Sequence, residues 1–136
     1  MKIFIAGVMQ SNRTDDQIDD QSYRSIITEA LEASIPNVEV LDPWALNPDS
    51  VNYSDEQAFN TFHSMTKLAG TADYLIAYLP RPSMGTAMEM WEARQHGVPI
   101  IAITPYIHHW AIKHVATTIL PDLDTLLTGI RNRSIL

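Results

Sequence analysis

Four short apolar runs, separated by stretches whose apolar residues recur at helical spacing, predict an α/β domain with a parallel sheet and helices on both faces. The runs lie at residues 2–8, 38–41, 74–79 and 98–103 and are rich in β-branched and aromatic residues. Most do not alternate apolar with polar, so they belong to strands covered on both sides. A length of 136 residues fits one such domain, residues 1–136, around a single core.

The first run, Ile3-Phe4-Ile5-Ala6-Gly7-Val8, reads as a central strand, and Gly7 near its end lets a ligand or another chain segment come close. Residues 9–16 are polar and irregular, a loop at the carboxyl end of that strand with Arg13 as its only cation. Over residues 19–33, Tyr23, Ile26, Ile27, Ala30 and Leu31 share one helical face, and Pro36 closes the segment. Val38-Glu39-Val40-Leu41 is a short strand ended by Asp42-Pro43. Residues 44–53 form the longest irregular stretch, suited to cover a site or simply to connect elements.

Ser54 and Gln57 have the spacing of a capping box, which starts a helix running to about residue 68, with Gly70 at its stop. Phe59, Phe62, Met65 and Leu68 or Ala69 form its expected buried stripe. The strand at 74–79 then turns through Arg81-Pro82-Ser83-Met84-Gly85 into a helix over residues 86–96, stopped by Gly97. After the strand at 98–103 come Thr104-Pro105, an expected helix over 106–118 and a last amphipathic helix over 121–130. Right-handed crossovers between these strands give a flavodoxin-like or Rossmann-like doubly wound sheet of four to five strands. In the flavodoxin-like order, strands 1 and 3 are neighbours, so the loop holding Gly7 to Arg13 faces the turn holding Arg81 to Gly85.

Composition narrows the function. There are 9 Lys and Arg against 16 Asp and Glu, a formal charge of −7, which argues against a nucleic-acid polymer as partner. With no cysteine there is no disulfide, thiol nucleophile or thiolate metal site, and cytoplasm is the default compartment. The N-terminal apolar run is too short for a signal peptide or a membrane span. His109 and His114 are five residues apart, which does not set them on one helical face, so no metal is expected. Neither G-x-G-x-x-G nor G-x-x-x-x-G-K-[ST] occurs, and no cofactor is implied.

Glu89 falls about one turn into the helix after the turn, where the helix N-terminus favours negative charge, so an ionised and poorly solvated carboxylate is expected. That suits a nucleophile or a cation stabiliser; a plain dipole-complementing carboxylate fits the same pattern. Glu92, three residues on, is a rival that reads as a solvated residue. Ser83, Gly85 and the amides at residues 85–87 form a cradle for a phosphate or a sugar hydroxyl, with Arg13 across the crevice, or else a capped turn and a lone surface Arg. A His near the end of the fourth strand is placed to meet a ligand, and Trp44, Trp91 and Trp110 read as core or interface residues.

The opening strand ending in Ala6-Gly7, the Ala72-Asp73 pair, and Ser83-Met84-Gly85-Thr86-Ala87-Met88-Glu89 followed by Ala93 and Gly97-Val98-Pro99-Ile100-Ile101 resemble the nucleoside 2-deoxyribosyltransferase-like family. The match covers roughly residues 2–13 and 72–103. The family holds base-exchanging transferases and hydrolases of nucleoside 5'-monophosphates. The resemblance implies Glu89 as the nucleophile at the anomeric carbon and Asp73 as a second active-site group that orients it or handles the proton of the leaving base. Strand direction alone puts Asp73 at the far, amino end.

The resemblance further implies Gly7, Gln10, Arg13, Ser83, Gly85, Thr86 and His109 as substrate-binding residues. It implies a homodimer or a multiple of dimers, with a residue from a neighbouring subunit completing the site near His108 or His109. Ser at position 83, where transferases tend to carry Asp, is similar to the nucleotide hydrolases. The expected activity is therefore hydrolysis of the N-glycosidic bond of a nucleoside 5'-monophosphate, with deoxyribosyl transfer or non-catalytic nucleotide binding as the alternatives.

Overall fold

Five parallel strands make one sheet: β1 (Lys2–Gly7), β2 (Glu39–Leu41), β3 (Tyr74–Tyr78), β4 (Ile100–Ile103) and β5 (Thr118–Leu120), in the order β2-β1-β3-β4-β5. The computed structural model describes residues Met1–Leu136. This is the flavodoxin-like order, and it puts the switch point between β1 and β3, where Gly7 stands level with Tyr78.

The apolar strands are explained by a core on each face of the sheet. Side chains alternate along a strand, so Phe4, Ala6 and Val8 point to one layer with Leu75, Ala77, Met90, Ala93 and Ile112. Ile3 and Ile5 point to the other, with Tyr23, Ile27, Leu31, Ile76, Leu126 and Ile130. The second layer is made by α1 (Ser22–Ser34) and α6 (Leu123–Arg131), and the first by α4 (Met84–Gln95), α5 (Trp110–Val115) and the C-terminal end of α3 (Asp55–Ala69).

Local signals hold at most element ends. Ser54 and Gln57 form both hydrogen bonds of a capping box on α3. Asp122 caps α6 through the Thr125 amide, and Gly97 takes φ +75° just beyond α4, where a side chain is strained.

Three expectations are corrected by packing. The helix predicted over 106–118 is only α5, and the residues after it become the edge strand β5. Thr117 pairs with Ile100 through both its amide, to the Ile100 carbonyl at 2.8 Å, and its hydroxyl, which accepts from the Ile100 amide at 3.0 Å. Residues 44–53 are not wholly irregular, since they hold most of α2 (Pro43–Leu46) and a 3₁₀ turn at Ser50–Asn52. The stripe of α3 is not buried: Phe59 is 68% and Phe62 45% exposed, because α3 lies beside α4 and meets the core only near its C-terminus at Ala69.

Glu92, read as solvated, is instead buried and accepts from Lys67 Nζ at 2.8 Å. Lys67 holds its carboxyl below the usual range, so Glu92 is a structural ion-pair partner between α4 and α3. Trp91 and Trp110 are exposed rather than core residues.

Candidate functional site

A cavity of about 330 Å³ opens at the carboxyl ends of β1 and β3, a volume in the range of small-molecule pockets. The strand-to-helix turn after β3 forms one side. Ser83 is the N-cap of α4, its hydroxyl accepting from the Thr86 amide at 3.4 Å and from the Thr86 hydroxyl at 3.1 Å. The helix starts at Met84, two residues before the predicted start, so Glu89 stands in its second turn and projects to the cavity. Gly7 forms the floor beside it. A methyl group at Gly7 would run into the Tyr23 ring, so the close approach needs glycine.

The opposite wall comes from residues 43–53 and from α3. Asn47, Ser50 and Tyr53 line it, with Phe62 and Met65 of α3 adding an apolar and aromatic surface. The sequence marked residues 44–53 as a possible cover but gave no pattern to single out these side chains, and Met65 read only as core. Of the predicted site residues, Gly7, Gln10, Ser83, Gly85, Thr86 and Glu89 come together in this one cavity.

Three do not. Asp73 precedes β3 and accepts from the Lys2 amide at 2.7 Å, at the amino ends of β1 and β3. A five-residue strand spans about 16 Å, which puts its carboxylate at the other edge of the sheet from Glu89. Arg13 does not line the cavity: its guanidinium donates to Asp15 at 2.7 and 2.9 Å, to Asp19 at 3.3 Å and to Gln17 at 3.2 Å. Asp19 also binds Arg81, so Arg13 and Arg81 are both taken by nearby carboxylates. His109 lines a separate, mostly apolar cavity of about 80 Å³ on the other side of Ser83, with Tyr106 and Ile112.

Glu89 is half-buried and is the only charged side chain lining the larger cavity. Loss of hydration pushes its carboxyl up to about 8; Arg24 opposes the shift and Asp42 adds to it. The expectation of an ionised group is thus corrected. Dipole stabilisation is confined to a helix's first turn, and in the second turn desolvation wins.

The arrangement offers one carboxyl group beside a side-chain-free floor, facing a polar and aromatic wall. Fold and site together define a doubly wound α/β domain with a carboxylate pocket at its switch point. A 2-deoxyribosyltransferase from the psychrotolerant bacterium Bacillus psychrosaccharolyticus superposes with a TM-score of 0.70 and 18% identity, over 97% of this chain and 91% of its own. A conserved protein from Enterococcus faecalis V583 superposes with a TM-score of 0.60 and 21% identity, over 97% and 98%. No protein-family model and no curated protein matches the sequence. The fold is that of the nucleoside 2-deoxyribosyltransferases. No helix is long and apolar enough to cross a membrane.

Proposed function

We propose that the chain is an enzyme that breaks the N-glycosidic bond of a nucleoside, with Glu89 attacking the anomeric carbon and a second base or water then taking the sugar. The observation that carries this reading is the single carboxylate in a cavity with no Lys, Arg or His among its lining residues. No second carboxylate lines the cavity to activate water on the far face of the sugar, whereas Glu89 by itself can supply the nucleophile for a glycosyl ester. The resemblance to deoxyribosyltransferases in the turn from Ser83 to Glu89 supports the same chemistry.

The cavity also bears on the substrate. A 5'-phosphate would lose its hydration in a cavity with no cation to meet it, whereas a 5'-hydroxyl is matched by Ser11, Gln10 and Ser83. An unphosphorylated nucleoside is therefore favoured over the monophosphate expected from Ser83 and Arg13. The monophosphate reading keeps one support, the Ser83 hydroxyl at the N-terminus of α4.

Incubation with a panel of ribo- and deoxynucleosides and their 5'-monophosphates, with and without a second base, decides among these by chromatography of free and exchanged base. Base release from nucleosides at least about tenfold faster than from monophosphates is expected, each 1.4 kcal/mol of lost phosphate stabilisation being worth a factor of ten. No release from either, by folded protein, ends the enzymatic reading and leaves nucleotide binding without turnover. Exchanged base without free sugar marks a transferase, and free sugar a hydrolase.

An exposed apolar face on α3 and α4, made by Phe59, Phe62, Met84, Met88 and Trp91, is wider than scattered surface residues. We assign it to a second copy of the chain, in a homodimer or a multiple of dimers. Phe62 and Met84 also line the Glu89 cavity, so the partner would close its open edge. Sedimentation velocity is expected to show a dimer or larger species that Phe59→Glu with Trp91→Glu converts to a folded monomer. A wild-type monomer at high concentration removes the assignment.

A further inference from the structure

Beneath the cavity lies a buried ion pair for which the proposed chemistry has no direct use. Arg24 on α1 is 2% exposed and Asp42, after β2, is 7% exposed. The Arg24 guanidinium donates to Asp42 Oδ1 at 2.7 Å, to the Ile5 carbonyl at 2.9 Å, to the Gly7 carbonyl at 3.4 Å and to Gln21 Oε1 at 2.7 Å. The same Asp42 oxygen accepts the Trp44 amide at 3.0 Å and so starts α2. One pair of side chains therefore ties together α1, the end of β1 that forms the cavity floor, and the head of the segment that supplies Asn47, Ser50 and Tyr53 to its wall.

A buried ion pair is weak support for stability, because two charges removed from water are often matched by well-packed apolar residues. Its place under the floor offers another reason to have it. We propose that the Arg24–Asp42 pair is a positioning device that holds the Gly7 floor and the wall of residues 43–53 in register around the substrate and sets the charge felt by Glu89, without touching substrate itself. The proposal rests on Glu89 being the reactive group of the cavity.

The two halves of the pair act on Glu89 in opposite senses, Arg24 favouring the carboxylate and Asp42 the acid. The other ionisable side chains around it are the Tyr23 and Tyr53 phenols, from α1 and from the wall. Removing one partner at a time should therefore move the Glu89 titration in opposite directions, a result that loss of packing alone does not produce.

The experiment follows the Glu89 side-chain carboxyl by carbon NMR across pH in the full chain, assigned by its disappearance in Glu89→Gln. Asp42→Asn leaves Arg24 uncompensated and is expected to lower the midpoint. Arg24→Met leaves Asp42 uncompensated and is expected to raise it. The double variant Arg24→Met with Asp42→Leu removes both charges and keeps the site packed even if a single variant does not fold; KM for the best nucleoside is expected to rise about tenfold, with kcat changed less. Arg24→Lys, which keeps the charge but not the planar fork of donors, is expected to show a smaller rise in KM than removal of the charge.

Midpoints that move the same way in both single variants, or not at all, overturn the electrostatic half of the proposal. An unchanged KM in the double variant overturns the positioning half. Retained turnover in Glu89→Gln would instead overturn the catalytic reading while leaving the titration result standing.

Discussion

Replacing Glu89 by Gln is expected to lower base release by at least about 10³-fold while making the folded protein more stable at alkaline pH. Both effects have one origin. The carboxyl sits in a cavity that strips its water, which raises its pKa from 4.5 to about 8. In the unfolded chain it gives up its proton near 4.5, so between the two values the folded state binds more protons than the unfolded state. Wild-type stability on this account is fully present below about pH 4.5, falls as pH rises through the window, and levels off above about 8.

Each pH unit inside that window is worth at most about 1.4 kcal/mol. Gln has nearly the same shape and no charge to desolvate, so the thermal midpoints of the two proteins should coincide near pH 4.5 and separate by several degrees at pH 8.5. Equal midpoints at pH 8.5 would show that Glu89 is well solvated, and full activity in Glu89→Gln would remove it from the reaction. Loss of function with gain of stability is what a desolvated functional group produces.

The pH dependence of kcat/KM carries the second large effect. A nucleophilic Glu89 acts as the carboxylate, and only a small fraction is ionised well below its midpoint. The rate constant is expected to rise about tenfold per pH unit through pH 5 to 7 and to level off near 8, following the free protein's titration. Were Glu89 the acid that protonates the leaving base, the rate would be flat at low pH and fall above 8. The direction of the limb between pH 6 and 9 separates the two roles, with a pH-stable wild-type fold checked in parallel.

Much of the site was legible because it is made by chain-local patterns. Gly7 ends one apolar strand and Gln10 follows it, and Ser83, Gly85, Thr86 and Glu89 follow another. Doubly wound topology makes the ends of those two strands neighbours. Asp73 shows the limit of resemblance against strand direction: it precedes its strand, and the structure keeps it at the amino edge, bound to the Lys2 amide. Arg13 shows another limit. Its position in the loop was readable, but its engagement by Asp15 and Asp19 depends on how that loop folds back on itself.

The face of α3 was misread for a related reason. Periodicity finds an apolar stripe but not what covers it, and Phe59 and Phe62 lie where α3 and α4 leave a surface open. No local pattern marks Arg24: nothing in its neighbours in sequence distinguishes it from Arg94, which is exposed.

The sequence by itself determined the alternation of strands and helices, the parallel sheet, the turn after β3 and the carboxylate that follows it, since each depends on spacing, propensity and capping within a few residues. Only the tertiary structure decided that desolvation raises the pKa of this carboxyl, that no cation lines its cavity, and that an ion pair lies beneath its floor. Desolvation and charge pairing depend on what surrounds a side chain in space, and those surroundings come from segments far apart in the chain.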